Sequence, residues 1–189
     1  MSLKIAVIVG STRPSRVGRR IADWFTDQVS NTPNVDFTLI DLADVKLPFL
    51  DEPGMASTQQ YQKEHTKKWS KLIDSFDGYV FVTPEYNHGY PASLKNAIDY
   101  LYNEWARKPV AFVGYGSLGG SATLEHLVPV VSQIGMVPLL NTSVKVIDVW
   151  GAFDEEGNFS EGNLRGSSPE KLMDNLVWWA KALQKARTN

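Results

Sequence analysis

The sequence predicts an α/β protein with a doubly wound, parallel sheet, and three observations carry this prediction. Apolar, β-branched runs alternate with segments of helical periodicity, which is the pattern of consecutive β-then-α units. The runs at residues 6–9 and 79–82 are continuously apolar, as strands are when helices cover both faces of a sheet. The chain has 189 residues, so we expect one domain spanning residues 1–189.

The first half of the chain contains three predicted strands and two predicted helices. The strands are apolar runs that end at Gly, Pro or polar loop residues, and the helices carry apolar residues three or four positions apart. In chain order the elements are a strand at residues 5–9, a helix from Val17 to Val29, a strand at 35–42, a helix around 69–76 and a strand at 79–82. A Pro- and Gly-containing stretch at 47–55 precedes the second helix.

The second half continues the same alternation. A helix from Pro91 carries one apolar face that consists of Leu94, Ala97, Ile98, Leu101 and Trp105. A strand at 109–113 and a helix at about 120–134 follow, and Pro129 should kink that helix or move its start. Residues 136–147 hold one or two short strands. Ser168 and Pro169 open the last helix as N-cap and first helical residue.

Composition excludes several functional classes. The net charge of −2 argues against a broad nucleic-acid surface, and no apolar run approaches the roughly 20 residues of a membrane helix. The chain has no cysteine, so thiol nucleophiles, zinc–thiolate sites and iron–sulfur clusters are excluded. His65 and His126 have no second ligand four residues on, so we expect no metal site. The N-terminus shows no signal-peptide pattern, and we expect a cytoplasmic protein.

The loop after the first strand, residues 10–18, has the composition of an anion site. Ligands of open α/β sheets bind beyond the carboxyl ends of the strands, and the N-terminus of a helix favours an anion. Arginines are unfavourable at such a helix start, yet four of them crowd the loop and the first turn: Arg13, Arg16, Arg19 and Arg20. A bound phosphate would offset their repulsion, and solvated or salt-bridged arginines are the alternative. Without a ligand, removing Arg13 or Arg16 should leave the protein unchanged or slightly more stable.

The loops after the third and fourth strands complete the candidate site. Residues 83–91 combine an aromatic ring, an amide and two prolines, and Tyr86 could cover the face of a flat ring. Residues 114–119 match G-x-G-x-x-G, but this fingerprint of dinucleotide binding belongs after the first strand, so we discount it. Glycines there let the backbone approach a ligand. One elongated ligand with a phosphate and a planar heterocycle would satisfy all three loops, as flavin mononucleotide (FMN) does.

Two further features suggest surfaces outside these loops. The stretch at 148–167 places Trp150, Phe153 and Phe159 in a polar loop, and we expect it to lie against the ligand site or a second subunit. The apolar face of the helix from Pro91 and the six tryptophans favour association into a homodimer or homotetramer.

The loop motifs resemble those of the NADPH-dependent FMN reductase family, which includes quinone, azo-dye and chromate reductases. The resemblance rests on Gly10-Ser11-Thr12-Arg13 with Arg16 and Gly18, on the run from Thr83 to Asp99, and on Gly116-Ser117-Leu118-Gly119-Gly120. It covers roughly residues 3–185. The resemblance implies a flavodoxin-like, three-layer fold with a five-stranded parallel sheet in the order 2-1-3-4-5. It also implies bound FMN, NADPH or NADH as electron donor, and dimers or tetramers.

Carried over position by position, the resemblance assigns twelve residues to the cofactor. Ser11, Arg13, Ser15, Arg16, Val17 and Gly18 would hold the FMN phosphate. Pro84, Glu85, Tyr86 and Asn87 would contact the isoalloxazine and ribityl chain, while Gly116 and Ser117 would close over the ring. The flavin carries the chemistry, so no catalytic side chain is expected.

The leading hypothesis is an FMN-dependent NAD(P)H oxidoreductase. It would pass hydride by a ping-pong reaction to FMN and on to a quinone, free flavin, azo compound or metal oxyanion. One alternative is a flavodoxin-type electron carrier without its own NAD(P)H oxidation, although such carriers usually have a strongly acidic docking face. Another is a non-enzymatic nucleotide-binding or regulatory domain that takes up no flavin.

Overall fold

A computed structural model describes residues 2–188 and shows helices packed on both faces of one central sheet. The strands are β1 (Leu3–Val9), β2 (Val35–Asp41), β3 (Gly78–Pro84), β4 (Pro109–Tyr115), β5 (Val137–Pro138), β6 (Val144–Val146) and β7 (Leu164–Gly166). The helices are α1 (Gly18–Val29), α2 (Leu42–Val45), α3 (Glu64–Asp74), α4 (Ala92–Asp99), α5 (Ser121–Gln133) and α6 (Pro169–Thr188). Four short 3₁₀ turns lie at Ala56–Thr58, Leu140–Thr142, Val149–Gly151 and Glu161–Asn163.

The sheet has seven strands rather than the predicted five, although most of the predicted order is present. The order is β2-β1-β3-β4-β6-β7, and β5 pairs separately with the start of β4. The predicted fifth strand is therefore split, because the 3₁₀ turn Leu140–Thr142 interrupts it between β5 and β6. All pairings in the sheet are parallel except that of β6 with β7, which adds an antiparallel edge.

Two apolar cores cover the two faces of the sheet, as the uninterrupted apolar strands predict. Along β1, Val7 and Val9 face α1 and α6, whereas Ala6 and Ile8 face α3, α4 and α5. Within residues 2–188 no helix is both long enough and apolar enough to cross a bilayer.

Helix α4 is shorter than its apolar periodicity predicts, and its apolar face points inward. It ends at Asp99, where two buried indole N–H groups bind its last carbonyls: Trp69 donates to Ala97 and Trp105 donates to Ile98. The predicted interface residues Leu94, Ile98, Leu101 and Trp105 are all buried in the protein's own core. This face therefore does not support the predicted association of subunits.

The remaining predicted elements agree with the structure to within a few residues. Helix α5 runs from Ser121 to Gln133 with Pro129 inside it, so the proline does not move its start. Helix α6 begins as predicted, with the Ser168 hydroxyl accepting from the backbone N–H of Lys171. The strands β3 and β4 end level, because Pro84 pairs with Tyr115, and β1 ends two residues earlier, where Val9 pairs with Val82. The loops after these strands therefore start at the same edge of the sheet.

Candidate functional site

The loops after β1, β3 and β4 meet at this edge and enclose a cleft of about 420 Å³. Nine of the twelve residues predicted from the sequence line this cleft: Arg13, Ser15, Arg16, Val17, Pro84, Glu85, Tyr86, Gly116 and Ser117. Tyr115, Val149 and Trp150 complete its walls, and the sequence analysis did not assign these three residues to the cofactor. The cleft lies where ligands bind in open α/β sheets.

The other three predicted residues lie next to the cleft rather than in its walls. Ser11 is fully buried, and its hydroxyl shares a 2.7 Å hydrogen bond with the hydroxyl of Tyr86, which joins the first loop to the second. Gly18 is buried at the start of α1. Asn87 faces a neighbouring shallow hollow together with His88 and Leu118.

The four arginines of the first loop have separate partners. Arg19 pairs with Asp23 one turn along α1, and Arg20 lies 4.3 Å from the ring centre of Phe153, so both point away from the cleft. Arg16 donates to the buried Asp41 at 2.6 Å, and this hydrogen bond raises the pKa of Arg16. Arg16 therefore agrees with both hypotheses from the sequence, because it lines the cleft where an anion would bind and also forms a salt bridge within the protein.

Arg13 differs from the other three because it forms no ion pair within residues 2–188. Its guanidinium donates to the hydroxyl of Ser15 at 3.2 Å, and both side chains are exposed at the wall of the cleft. A free cation beside a hydroxyl, at the start of a twelve-residue helix, is suited to an anion.

The second loop is a tight turn that is fixed at several points. Tyr86 and Gly89 exchange two backbone hydrogen bonds, and the two residues between them, Asn87 and His88, both adopt left-handed backbone conformations with φ of 51° and 62°. The carboxylate of Glu85 accepts from the backbone N–H of Ala122 in α5. Glu85 therefore anchors the loop, and its charge faces the N-terminal end of a helix, where a carboxylate is stabilised.

The third loop depends on glycine at its junction with α5. Gly120 adopts φ of 72°, and a side chain there would lie 2.9 Å from the backbone nitrogen of Tyr115. Any other residue would strain the backbone and push the loop away from β4. Within the G-x-G-x-x-G match itself, a side chain at Gly114 would lie 2.5 Å from the carbonyl oxygen of Gly119, so the match reflects the packing of this loop on its own strand.

The stretch at 148–167 divides between the cleft and α1. Phe159 stacks on Trp24 with ring centres 3.9 Å apart, and Phe153 packs against Phe159. Trp150 lies instead at the mouth of the cleft and is 75% exposed. One of the three aromatic residues therefore lies against the site, and the sequence signal for it was a large apolar side chain in a polar loop.

The donors that the cleft exposes belong to the first loop. They are the guanidinium of Arg13, the hydroxyl of Ser15 and the start of α1, and Arg16 is among the lining residues as well. Nε of Arg16 and the hydroxyl of Tyr115 are themselves buried within the protein. The exposed donor set fits a phosphate group.

A second cavity, of about 530 Å³, is larger but less suited to such a ligand. It lies between the 42–49 segment and α4 and adjoins the first loop at Thr12. Lys46 is its one charged lining residue, whereas two arginines, Arg13 and Arg16, line the smaller cleft. We therefore identify the smaller cleft as the candidate site.

Within residues 2–188 no group of three or more His, Asp and Glu side chains lies close enough to hold a metal ion. The cleft contains one carboxylate, Glu85, and no second acidic side chain lines it.

Comparisons with known proteins place the chain in one family. The sequence profile for NADPH-dependent FMN reductases matches residues 3–150. An NAD(P)H-dependent FMN reductase from Nectria sp. is 43% identical over 144 residues, which are 71% of this chain and 72% of the relative. A 2-hydroxy-1,4-benzoquinone reductase from Burkholderia sp. is 27% identical over 96% of this chain and 98% of the relative.

A solved structure shows the same fold. The flavoenzyme NAD(P)H:(acceptor) oxidoreductase FerB from Paracoccus denitrificans aligns with a TM-score of 0.70 and 22% identity, covering 97% of this chain and 98% of its own. The protein therefore has a flavodoxin-like α/β fold with a mostly parallel sheet.

Proposed function

This chain is a member of the NADPH-dependent FMN reductase family, and we propose on that premise that its cleft binds FMN and serves the oxidation of NAD(P)H. The observation that carries the proposal is the donor set that the first loop exposes to the cleft. It combines the guanidinium of Arg13, the hydroxyl of Ser15 and the start of α1. A phosphate monoester is a ligand group that can accept from all three.

The two ends of the cleft suit the two ends of FMN. Arg13, Ser15, Arg16 and the start of α1 supply the phosphate end, with Val17 and Gly18 providing backbone. Pro84, Glu85, Tyr86 and Asn87 of the second loop, with Gly116 and Ser117 of the third, supply the end for the isoalloxazine. Ser11 acts indirectly, because its hydrogen bond to the Tyr86 hydroxyl holds the second loop against the first.

The protein contributes binding and orientation, and the cofactor contributes the redox chemistry. Bound FMN would supply the ping-pong transfer of electrons from NAD(P)H to the acceptor, and the lining residues would hold it in place. The left-handed turn at Asn87 and His88 leaves both backbone N–H groups without backbone partners within residues 2–188. The turn lies beside the cleft, and we propose that these N–H groups stabilise negative charge on the bound ring.

We expect the acceptor to be a small, flat molecule. The relatives include a benzoquinone reductase and an NADPH azoreductase from Bacillus sp. that is 34% identical over 66% of each chain. Quinones, azo compounds, free flavins and metal oxyanions are the acceptor classes we propose. The exposed ring of Trp150 at the mouth of the cleft supplies a flat apolar wall for such molecules.

We also propose that the chain forms one FMN-binding domain spanning residues 1–189 and assembles as a homodimer or homotetramer in the cytoplasm. The support for assembly is an exposed apolar group in the 46–63 segment, where Phe49, Leu50 and Met55 are 82%, 47% and 74% exposed. Large apolar side chains exposed together mark interaction surfaces. The support for the location is the electron donor, because NAD(P)H is a cofactor of the cell interior.

The experiment is an absorbance titration of the purified protein with FMN, followed by NADPH and then a benzoquinone. An FMN-dependent oxidoreductase takes up the flavin, bleaches it with NADPH and oxidises NADPH steadily once the quinone is added. A flavodoxin-type carrier takes up FMN but leaves NADPH unchanged, and a regulatory domain takes up no flavin. Either of the last two outcomes contradicts the proposed function.

A further inference from the structure

His88 stands at the tip of the second loop, beside the cleft. Its side chain is 80% exposed, and its backbone is left-handed with φ of 62°. Together with Glu85, Asn87, Ser117 and Leu118 it lines the shallow hollow, which has a volume of about 370 Å³. Sites for small molecules begin at about 300 Å³, so the hollow is large enough to receive part of a single aromatic ring.

The hollow adjoins the end of the cleft that is proposed to hold the isoalloxazine. Glu85 and Ser117 line both the hollow and the cleft. Trp150, the proposed wall for the acceptor, lines the cleft as well, and its segment contacts the third loop where the backbone N–H of Asp148 donates to the carbonyl of Ser117. A flat acceptor at this end of the cleft therefore has the hollow and His88 as its neighbours.

Glu85 presents one carboxylate oxygen to a helix and the other to His88. Oε2 accepts from the backbone N–H of Ala122 in the first turn of α5 at 3.1 Å, and Oε1 lies 3.5 Å from Nδ1 of the imidazole. The Glu85 side chain is 17% exposed, and its bond to α5 fixes the carboxylate. Hydrogen bonds of acid–base pairs are often long in ligand-free sites and tighten when a substrate binds. Because Nδ1 faces the carboxylate, Nε2 is the ring nitrogen left for a ligand.

The other titratable groups around the hollow have partners elsewhere. The hydroxyl of Tyr86 is hydrogen-bonded to Ser11, and Lys145 of β6 donates to the hydroxyl of Ser121 at the start of α5. Histidine is the side chain whose charge ordinarily changes near neutral pH. Among the residues that line the hollow, His88 is the one histidine.

We propose that the hollow receives the oxygen atom of a quinone acceptor, and that His88 donates the proton that reduction of the quinone consumes. This inference rests on the proposed function, which supplies the reduced cofactor. It adds a catalytic side chain to a site for which the sequence predicted none.

The proposed step balances in protons and electrons. Reduction of a benzoquinone to the hydroquinone takes two electrons and two protons. A hydride brings both electrons and one of the protons, so the second proton has to be supplied separately. The N–H bond at Nε2 of His88 breaks, and an O–H bond forms on the quinone oxygen. The exposed imidazole then regains a proton from solvent.

The test compares two acceptors in the His88→Gln variant loaded with FMN. Benzoquinone takes up protons with its electrons, whereas ferricyanide takes up electrons alone. In a ping-pong reaction, kcat/KM for the acceptor reports the half-reaction in which the acceptor is reduced. For benzoquinone we expect this value to fall about 10- to 100-fold, less than for many general acids because water also reaches the exposed site. For ferricyanide it should stay unchanged.

The pH dependence separates proton donation from a structural role. In the unaltered protein, kcat/KM for benzoquinone should decline as the pH rises through the range in which imidazole loses its proton, and His88→Gln should lack that decline. His126→Gln is the matched control, because His126 is an exposed histidine on α5 that lines neither the cleft nor the hollow. This control should match the unaltered protein with both acceptors.

Binding at the hollow is measured separately, by NMR of the ligand-free protein titrated with resorcinol. Resorcinol is a flat diphenol that resists oxidation, so no redox chemistry is needed. The chain has three histidines, and we expect the ring signals of His88 alone to shift. His65, which is bonded to Asp51, and His126 serve as references.

Four outcomes overturn the inference. Equal losses for benzoquinone and ferricyanide would show that His88 shapes the site without donating a proton. An unchanged value for benzoquinone, a pH profile that His88→Gln retains, or His88 signals that do not respond to resorcinol would exclude His88 as the donor in this hollow. If the unaltered protein oxidised no NADPH with either acceptor, the proposed function would fail and the inference with it, whereas a failure confined to His88 leaves NADPH oxidation intact.

Discussion

The ion pair between Arg16 and Asp41 predicts that the same substitution lowers the stability of the ligand-free protein at Arg16 and changes it little at Arg13. Nη2 of Arg16 lies 2.6 Å from Oδ2 of Asp41, and the two side chains are 19% and 1% exposed. From the sequence alone, removal of either arginine is expected to leave the ligand-free protein unchanged or slightly more stable. For Arg16 the structure contradicts this, because Arg16→Ala leaves a buried carboxylate without its cation.

The magnitude follows from the burial of Asp41. Removing one partner of a buried ion pair costs about 3–5 kcal/mol, and the partial exposure of Arg16 places the expected cost near the lower end, about 3 kcal/mol. For a domain of this size, that loss lowers the melting temperature by about 6–12 °C. Arg13→Ala is the matched control, because Arg13 is exposed and forms no ion pair within residues 2–188, so its melting temperature should change little.

The assay is thermal unfolding of the ligand-free variants, with flavin titrations alongside. Asp41→Asn should recover much of the stability of Arg16→Ala, since an amide needs no cation and its oxygen can still accept from the N–H of Ala43. Both arginine variants should weaken FMN about 10- to 100-fold more than riboflavin. Equal melting temperatures for the Arg13 and Arg16 variants would refute the reasoning.

Three further predictions concern other parts of the protein. Burial alone would raise the pKa of Glu104, but hydrogen bonds, with that from Ser70 first among the side chains, hold the pKa below its usual value. The contribution of Glu104 to the free energy of unfolding is therefore complete above about pH 5 and is lost as the pH falls through the folded-state pKa. Glu104→Gln should flatten the acid side of the stability profile, and an unchanged slope would contradict this. Trp150→Ala should raise the KM for a quinone about two- to ten-fold and leave the ligand-free melting temperature unchanged. The control is Trp178→Ala, which removes a ring that is 63% exposed on α6 and should change neither quantity. Equal effects of the two variants on KM would exclude Trp150 as a wall of the acceptor site. Phe49→Asp should shift the proposed oligomer toward the 21.1 kDa monomer in light scattering, and an unchanged mass would show that the 46–63 segment is not the interface.

The sequence predicted the parts of the fold that depend on local patterns. Continuous apolar runs identified β1, β3 and β4, because strands covered on both faces have no polar alternation. The helix starts at Gly18 and Pro169 were predicted within a residue from caps and periodicity. The location of the cleft then followed from topology, since the carboxyl ends of adjacent parallel strands lie at one edge.

The differences arise where contacts distant in sequence decide the structure. Helix α4 ends early because the indoles of Trp69 and Trp105 bind its last carbonyls, and one of these lies 28 residues from its acceptor. Leu101 and Trp105 keep the helical spacing beyond Asp99, but they are buried core residues outside the helix. Short strands such as β7 are three residues long and carry no periodic signal of their own.

The same limit applies to the candidate site. Charge and loop position identified Arg13 and Arg16, but the partner of Arg16 lies 25 residues away at the end of β2 and gave no sequence signal. The sequence assigned no role to Tyr115. Its burial against Gly18, 97 positions earlier in the chain, emerges only from the fold.

The most direct measurement is the visible spectrum of the purified protein through one cycle of FMN, NADPH and benzoquinone. The account predicts stoichiometric uptake of FMN, loss of the flavin absorbance on adding NADPH and its return with steady NADPH consumption once the quinone is present. A protein that stays colourless with excess FMN, or that binds FMN and does not oxidise NADPH, would contradict it.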